Sequence, residues 1–216
     1  MKITEGCFEA TGHTSIICDF SPPRSGDSAV VTQAQIDADF ISVAYNPGRA
    51  VRTNSAMLAA AIQQSGKDAV FTLATRDMNK LAVQSLLLGA QLLGLQNVVV
   101  VQGDLFGEQD QARVATVNDY HSTGLISAIV QMNQGQDFKE AELRTPSDFC
   151  VGGTVDLGRG IEEEAQLAVR KVQAGAEFLI TQPIFNVDHV ARYRESYAYN
   201  AGKAGTLPIY FGLQIL

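Results

Sequence analysis

Short apolar runs of strand length recur along the chain, separated by longer stretches in which apolar residues return every three or four positions. Runs of the first kind suit strands, and returns of the second kind trace one face of a helix. The pattern predicts strands at 15–20, 38–45, 69–74, 97–102, 148–153, 177–182 and 207–212, with helices at 53–65, 77–93, 119–134, 160–174 and 188–200. The run NVVVVQ is apolar on consecutive positions, which suits a parallel strand covered on both faces. In the helix at 160–174, Ile161, Ala165, Ala168 and Val172 form a single stripe that can pack on a sheet. Gly94, Gly135 and Gly175 stand where helices should stop, and Asp188 stands where the last should be capped. The stretch 135–147 lacks periodicity and reads as the longest loop, a candidate lid or oligomer contact.

Strands alternating with helices point to an α/β protein with parallel βαβ units. No G-x-G-x-x-G follows the first strand and no Walker motif occurs, so a (β/α)8 TIM-type barrel is favoured over an open doubly wound sheet. About seven β/α units are present and the eighth is missing, so residues 1–216 read as one barrel domain that is truncated at its C-terminus. An open parallel barrel leaves an unpaired edge, which a further segment, a homo-oligomer or a partner subunit would cover.

Composition narrows the partners. A net charge of −7 without any Lys/Arg block argues against nucleic acid and anionic membranes. No run approaches the ~20 apolar residues of a membrane span, and the N-terminus has no apolar signal core. Cys7, Cys18 and Cys150 are far apart, lack metal or redox spacing, and read as reduced thiols of a cytoplasmic protein. A small-molecule ligand is expected, and no metal site.

Polar residues that core packing does not need collect just past six of the apolar runs. They are Asp19 with Ser21-Pro22-Pro23-Arg24, Tyr45-Asn46, Thr75-Arg76-Asp77, Gln102-Gly103-Asp104, Thr154-Val155-Asp156 and Thr181-Gln182. Barrel enzymes carry their chemistry at this end of the strands. Asp77 is read as the N-cap of the helix after it. Asp104 is not, because Gly103 permits close backbone approach and LFGEQD begins no clear helix. Asp19 sits inside the apolar run IICDF, where desolvation would raise its pKa and suit it to act as an acid. A buried Asp bonded to a backbone amide is the equal alternative.

Several segments together resemble the 5,10-methylenetetrahydrofolate reductases, flavoprotein (β/α)8 barrels of one-carbon metabolism and methionine biosynthesis. They are DFSPPR (19–24), FISVAYNPG with Arg52-Thr53 (40–53), VVVVQGD (98–104), VRKVQAGAEFLITQPIFN (169–186) and LPIYFG (207–212). The stretch RDMNKLAVQSLLLGAQLLGLQNV is similar to the branch also found fused to a methyltransferase. The resemblance implies an oxidoreductase that reduces 5,10-methylenetetrahydrofolate to 5-methyltetrahydrofolate, using FAD and a nicotinamide donor, NADH or NADPH. It implies that Asp104 and Gln182 bind the substrate and that Asp19 is the general acid. It also implies cofactor contacts from Tyr45, Thr72, Gln102, Gly103 and Thr154, with Arg170 and Lys171 approaching the FAD phosphates.

The chain departs from the family pattern at several positions. Asp19 stands for a glutamate, Ala44 for a threonine, Thr72 for a histidine and Gln102 for an arginine, while Thr154-Val155-Asp156-Leu157-Gly158 replaces Y-P-E-x-H. Most of these positions face the flavin in the family. A flavin-free pterin-binding paralogue, acting in methyl transfer or as a non-catalytic subunit, is therefore the alternative expectation.

Overall fold

In the computed structural model, which describes residues 1–6, 14–202 and 207–214, the seven expected strands all form. They are β1 (Ile17–Phe20), β2 (Phe40–Val43), β3 (Asp68–Ala74), β4 (Asn97–Val101), β5 (Cys150–Val155), β6 (Phe178–Pro183) and β7 (Ile209–Gly212). Each pairs in parallel with the next, in sequence order. This is a nearly closed (β/α)8 TIM-type barrel with seven units. Among the described residues no strand pairs the outer edges of β1 and β7, and the Tyr210 hydroxyl reaches Ser15 Oγ at 3.4 Å near that seam.

The helices are α1 (Ile3–Gly6), α2 (Val30–Gln33), α3 (Ser55–Gln64), α4 (Lys80–Leu92), α5 (Glu108–Gln111), α6 (Ser122–Asn133), α7 (Ile161–Gln173) and α8 (Val187–Ala201), with a 3-10 turn at Pro47–Arg49. The five long ones match the periodicity. Three short ones and the 3-10 turn escaped it, because a single turn of helix shows no repeat. On α7, Ile161, Ala165 and Ala168 are buried and Val172 is partly buried, so the stripe packs as its spacing requires. Gly94, Gly135 and Gly175 follow their helices at φ 85°, 87° and 108°, the left-handed conformation that ends a helix.

Two caps differ from expectation. α4 begins at Lys80, not 77, because Asn79 accepts from the Ala82 amide at 2.9 Å, while Asp77 pairs with Arg76 instead. At α8 the cap is Asn186, which accepts from the Asp188 amide at 2.9 Å. The 135–147 stretch is no lid over the strand ends. It links the end of α6 to the start of β5, which puts it at the opposite, N-terminal face. There the Phe138 amide donates to Gln84 Oε1 at 2.9 Å, and Gln136 and Glu142 form a small antiparallel bridge. Cys18 and Cys150 are unpaired thiols, Cys7 lies outside the described residues, and among the described residues no helix is long and apolar enough to cross a membrane.

Three apolar bodies hold the barrel. One packs α3, α4 and α6 on the outside of β2, β3 and β4, and a second packs α7 and α8 on β5 and β6. The third fills the interior with Ile3, Phe40, Val70, Val99, Cys150 and Phe178. α1 closes the bottom: the Ile3 amide donates to Asn97 Oδ1 and Asn97 Nδ2 donates to the Met1 carbonyl, both at 2.9 Å. The Phe178 ring lies across Gly152, where a Cβ would overlap it.

Gly152→Ala should therefore cost about 1–3 kcal/mol, the usual penalty of overpacking. The check is a lower urea midpoint with an unchanged slope. A wild-type midpoint would show that the interior is not built on this contact.

Candidate active site

All six polar clusters lie at the C-terminal ends of β1 to β6, on one rim. Side chains alternate across a strand, so position relative to the interior layer tells which of them point inward. Ile17, Phe40, Val70, Cys150 and Phe178 belong to or pack against that layer. Asp19, Ser42, Thr72 and Thr154 share their parity and rise above it into the mouth, while Gln182 follows an irregularity in β6 between Ile180 and Pro183 and is exposed at the strand end. Gln102 shares the parity of Val98 and Val100, which face the helices, and its side chain is exposed.

Asp19 faces Ser42 across the β1–β2 register. Its tip reaches solvent at the mouth, but the surrounding strand ends displace enough water to push its carboxyl above the ordinary aspartate value. A hydrogen bond from the Ser42 side chain offsets part of that rise. The partner is thus a hydroxyl on the neighbouring strand, not the backbone amide that was the alternative expectation.

The β2, β3 and β4 ends converge on Arg76, a buried guanidinium. Its Nε and Nη2 donate to the two Asp77 carboxylate oxygens at 2.6 and 2.8 Å. Its Nη1 donates to the backbone carbonyl of Asp104 at 2.8 Å, and its plane covers the Phe106 ring at 4.1 Å from the centroid. Tyr45 hydrogen-bonds with Asp77, and burial together with that carboxylate pushes its phenol up to about 12. Gly103 has φ 86°, and a Cβ there would come within 3.2 Å of Arg76 Cβ, so the close approach expected of it is made to this side chain. Asp104 itself is exposed and caps no helix; the nearest, α5, begins beyond Gly107.

Asp104 and Gln182 share one property. Among the described residues, no group hydrogen-bonds to the Asp104 carboxylate or the Gln182 amide. The neighbouring Thr181 is spent internally, accepting from the Gly212 amide and donating to the Gln182 carbonyl, each at 2.9 Å. Lys171 lies on the buried face of α7, where its Nζ donates to the Thr154 carbonyl. Desolvation lowers its pKa, an effect that Glu164 opposes. Arg170, one residue earlier on the helix, is exposed. Asp156 belongs to a turn, accepting from the Gly158 amide at 3.0 Å and pairing with Arg159 at 3.1 Å.

The SPPR turn and the Arg52-Thr53 pair are brought together: Arg52 Nη1 donates to the Pro22 carbonyl at 2.8 Å and the Thr53 amide to Pro23 at 3.0 Å. A cleft of about 360 Å³ opens beside Arg76, lined by Asn46, Arg49, Val51, Asp77, Phe106 and Val114 among others. A second recess, of about 430 Å³, lies between α6 and α7 around Gln131, Gln134 and Gly175, at the far end of the barrel from the polar rim. Sequence reasoning missed Ser42, Arg49 and Phe106 as site residues, and saw Arg76 only as part of a cluster. An arginine and an aspartate adjacent at a strand end were the available signal.

Residues 6–214 match the family model for methylenetetrahydrofolate reductase. Among solved structures, a Clostridium thermocellum protein that binds two copies of 5-methyl-5,6,7,8-tetrahydrofolic acid is similar at TM-score 0.63 and 14% identity, over 91% of this chain and 65% of that one. The present chain therefore spans just under two thirds of that protein's length. A 2,3-dimethylmalate lyase of the PEP mutase/isocitrate lyase superfamily is similar at TM-score 0.57 and 13% identity, over 91% and 74% of the two chains. A lyase/mutase-type protein of Burkholderia cenocepacia is similar at 0.54 and 13%, over 92% and 76%. At these identities the likeness to solved structures establishes the barrel alone.

The raised Asp19 carboxyl has a consequence for stability. A group that holds its proton more tightly folded than unfolded costs nothing below its unfolded pKa, ~3.9, destabilises progressively as pH rises from there to its folded value, and costs a constant amount above it. Asp19→Asn removes that titration. The variant should gain thermal stability relative to wild type as pH rises above about 4, whereas a difference that does not change with pH would show that the carboxyl is not shifted.

Proposed function

Because this chain belongs to the methylenetetrahydrofolate reductase family, we propose that it is a flavin-dependent oxidoreductase of cytoplasmic one-carbon metabolism, on the route to methionine. It reduces 5,10-methylenetetrahydrofolate to 5-methyltetrahydrofolate with electrons from NADH or NADPH. The observation that carries this reading is the division of labour at the mouth. Burial by the strand ends raises the Asp19 carboxyl above its ordinary value, while Asp104 and Gln182 present exposed polar groups that no described residue hydrogen-bonds. Folate binding by the similar Clostridium thermocellum barrel supports the substrate class.

A reduced pterin presents a donor-rich edge, and a carboxylate accepts two such N–H bonds at once. Asp104 takes that role. Gln182 donates and accepts through one amide and fixes the ring's orientation. Asp19 delivers its proton to the folate nitrogen that leaves the methylene bridge. That carbon–nitrogen bond breaks, its electron pair stays on the nitrogen, and the remaining iminium carbon accepts a hydride. Ser42 orients the acid through its hydrogen bond. Aspartate in place of glutamate shortens the acid by one methylene, so the substrate must seat that much closer to β1.

FAD is the cofactor the family implies, and the donor set fits it. The hydroxyls of Thr72 and Thr154 rise from an inner wall that includes Val101, Ile180 and Tyr210, an apolar face with polar points that suits a flat ring bearing carbonyl acceptors. Lys171 has three ammonium hydrogens and one described acceptor, which leaves it able to meet a phosphate. Tyr45, Thr72, Gly103 and Thr154 would hold the ring end and Arg170 with Lys171 the diphosphate, whereas Gln102, expected there too, has the parity of the helix-facing Val98 and Val100 and turns away from the mouth. When bound, the flavin supplies hydride chemistry, and the protein supplies position and electrostatics.

Kinetics on Asp19→Asn test the acid. Folate reduction should fall by about 10²–10⁴-fold while reduction of the flavin by nicotinamide continues at the wild-type rate. An unchanged folate rate would remove Asp19 from the mechanism. A colourless purified protein that still gains thermal stability from 5-methyltetrahydrofolate would remove the flavin and leave the pterin site.

A further inference from the structure

We infer that Arg76 is the positioning residue for Asp104, and that Asp77 serves as the counterion that leaves the Asp104 carboxylate unspent. The inference rests on the reading of Asp104 as the pterin-binding carboxylate. Residues 102–121 form the longest connection at the mouth, regular only over the four residues of α5. A segment of that kind has no ladder of its own to hold one side chain in place. Arg76 is the point at which it is tied to the barrel wall. Its Nη1 holds the Asp104 carbonyl at 2.8 Å, its plane lies on Phe106 two residues on, and its own carbonyl accepts from the Val117 amide at 2.9 Å. Arg49 repeats the contact one residue along, donating to the Leu105 carbonyl at 2.9 Å.

The direction of these bonds matters as much as their number. A buried guanidinium beside a carboxylate ordinarily takes it in a two-point bond. Here Asp77 fills that role at 2.6 and 2.8 Å, and the remaining donor goes to the Asp104 backbone. The fork thus fixes the turn without occupying the acceptor that it positions. A lysine could make one of these bonds but not the set, since it lacks the planar fork.

Calorimetric binding of 5-methyltetrahydrofolate to Arg76→Lys, Asp104→Asn and the double variant tests the inference. Each single change should weaken binding about tenfold or more, and the double variant should be no weaker than Asp104→Asn alone within about threefold. Additive losses, or a lowered Tm with unchanged affinity in Arg76→Lys, would reduce Arg76 to a structural residue and overturn the inference. If Asp104→Asn alone leaves affinity unchanged, the pterin reading of Asp104 fails and takes the inference with it, an outcome that does not involve Arg76. Should Arg76→Lys fold poorly, Asp77→Asn provides the second route. By freeing the guanidinium to take the Asp104 carboxylate it should also weaken binding about tenfold, and wild-type affinity would overturn the counterion role.

Discussion

The structure depends on one packing constraint: seven parallel strands wound around a single interior layer. Ile3, Phe40, Val70, Val99, Cys150 and Phe178 fill that layer, and Gly152 gives up its side chain so that the Phe178 ring fits. Once those side chains point inward, alternation leaves no choice about the next ones up. Asp19, Ser42, Thr72 and Thr154 must face the mouth, because each lies an even number of residues above an interior position. The polar floor of the site is thus a by-product of how the barrel is filled. Its chemistry comes from the residue types that occupy those forced positions.

Above the floor, order depends on cations rather than on backbone ladders. Arg52 holds the SPPR turn, Arg49 and Arg76 hold the loop that carries Asp104, and Lys171 holds the end of β5. In each case the acceptor is a backbone carbonyl, a group whose position is the shape of the loop itself. An acidic protein can therefore have a well-ordered mouth without presenting a basic one. Asp104 and Gln182 project from this fastened rim exposed and without a hydrogen bond from any described residue, which leaves both open to a ligand.

Most of the fold was legible because its signals are local. All seven strands and five long helices follow from the period of apolar residues, and the glycines that end helices stand at left-handed positions. The two caps were misplaced because Asp and Asn compete for the same role over a few residues. Asn79 and Asn186 accept the first amides of their helices, while Asp77 finds a stronger partner in Arg76. The segment 135–147 looked like a lid only while its end of the barrel was undefined. A connection from helix to strand returns to the N-terminal face, away from the mouth.

The sequence by itself determined the alternation of strands and helices, the type of barrel, and the acidic and amide residues at the strand ends, since each is written in neighbouring positions. Asp104 and Gln182 were readable at that level. Only the tertiary structure decided which of those residues act together. Ser42 meets Asp19 through a register between strands more than twenty residues apart, and Arg76 reaches the Asp104 carbonyl across two strand ends. Such pairings depend on how strands are aligned and loops folded back, and no local period encodes either.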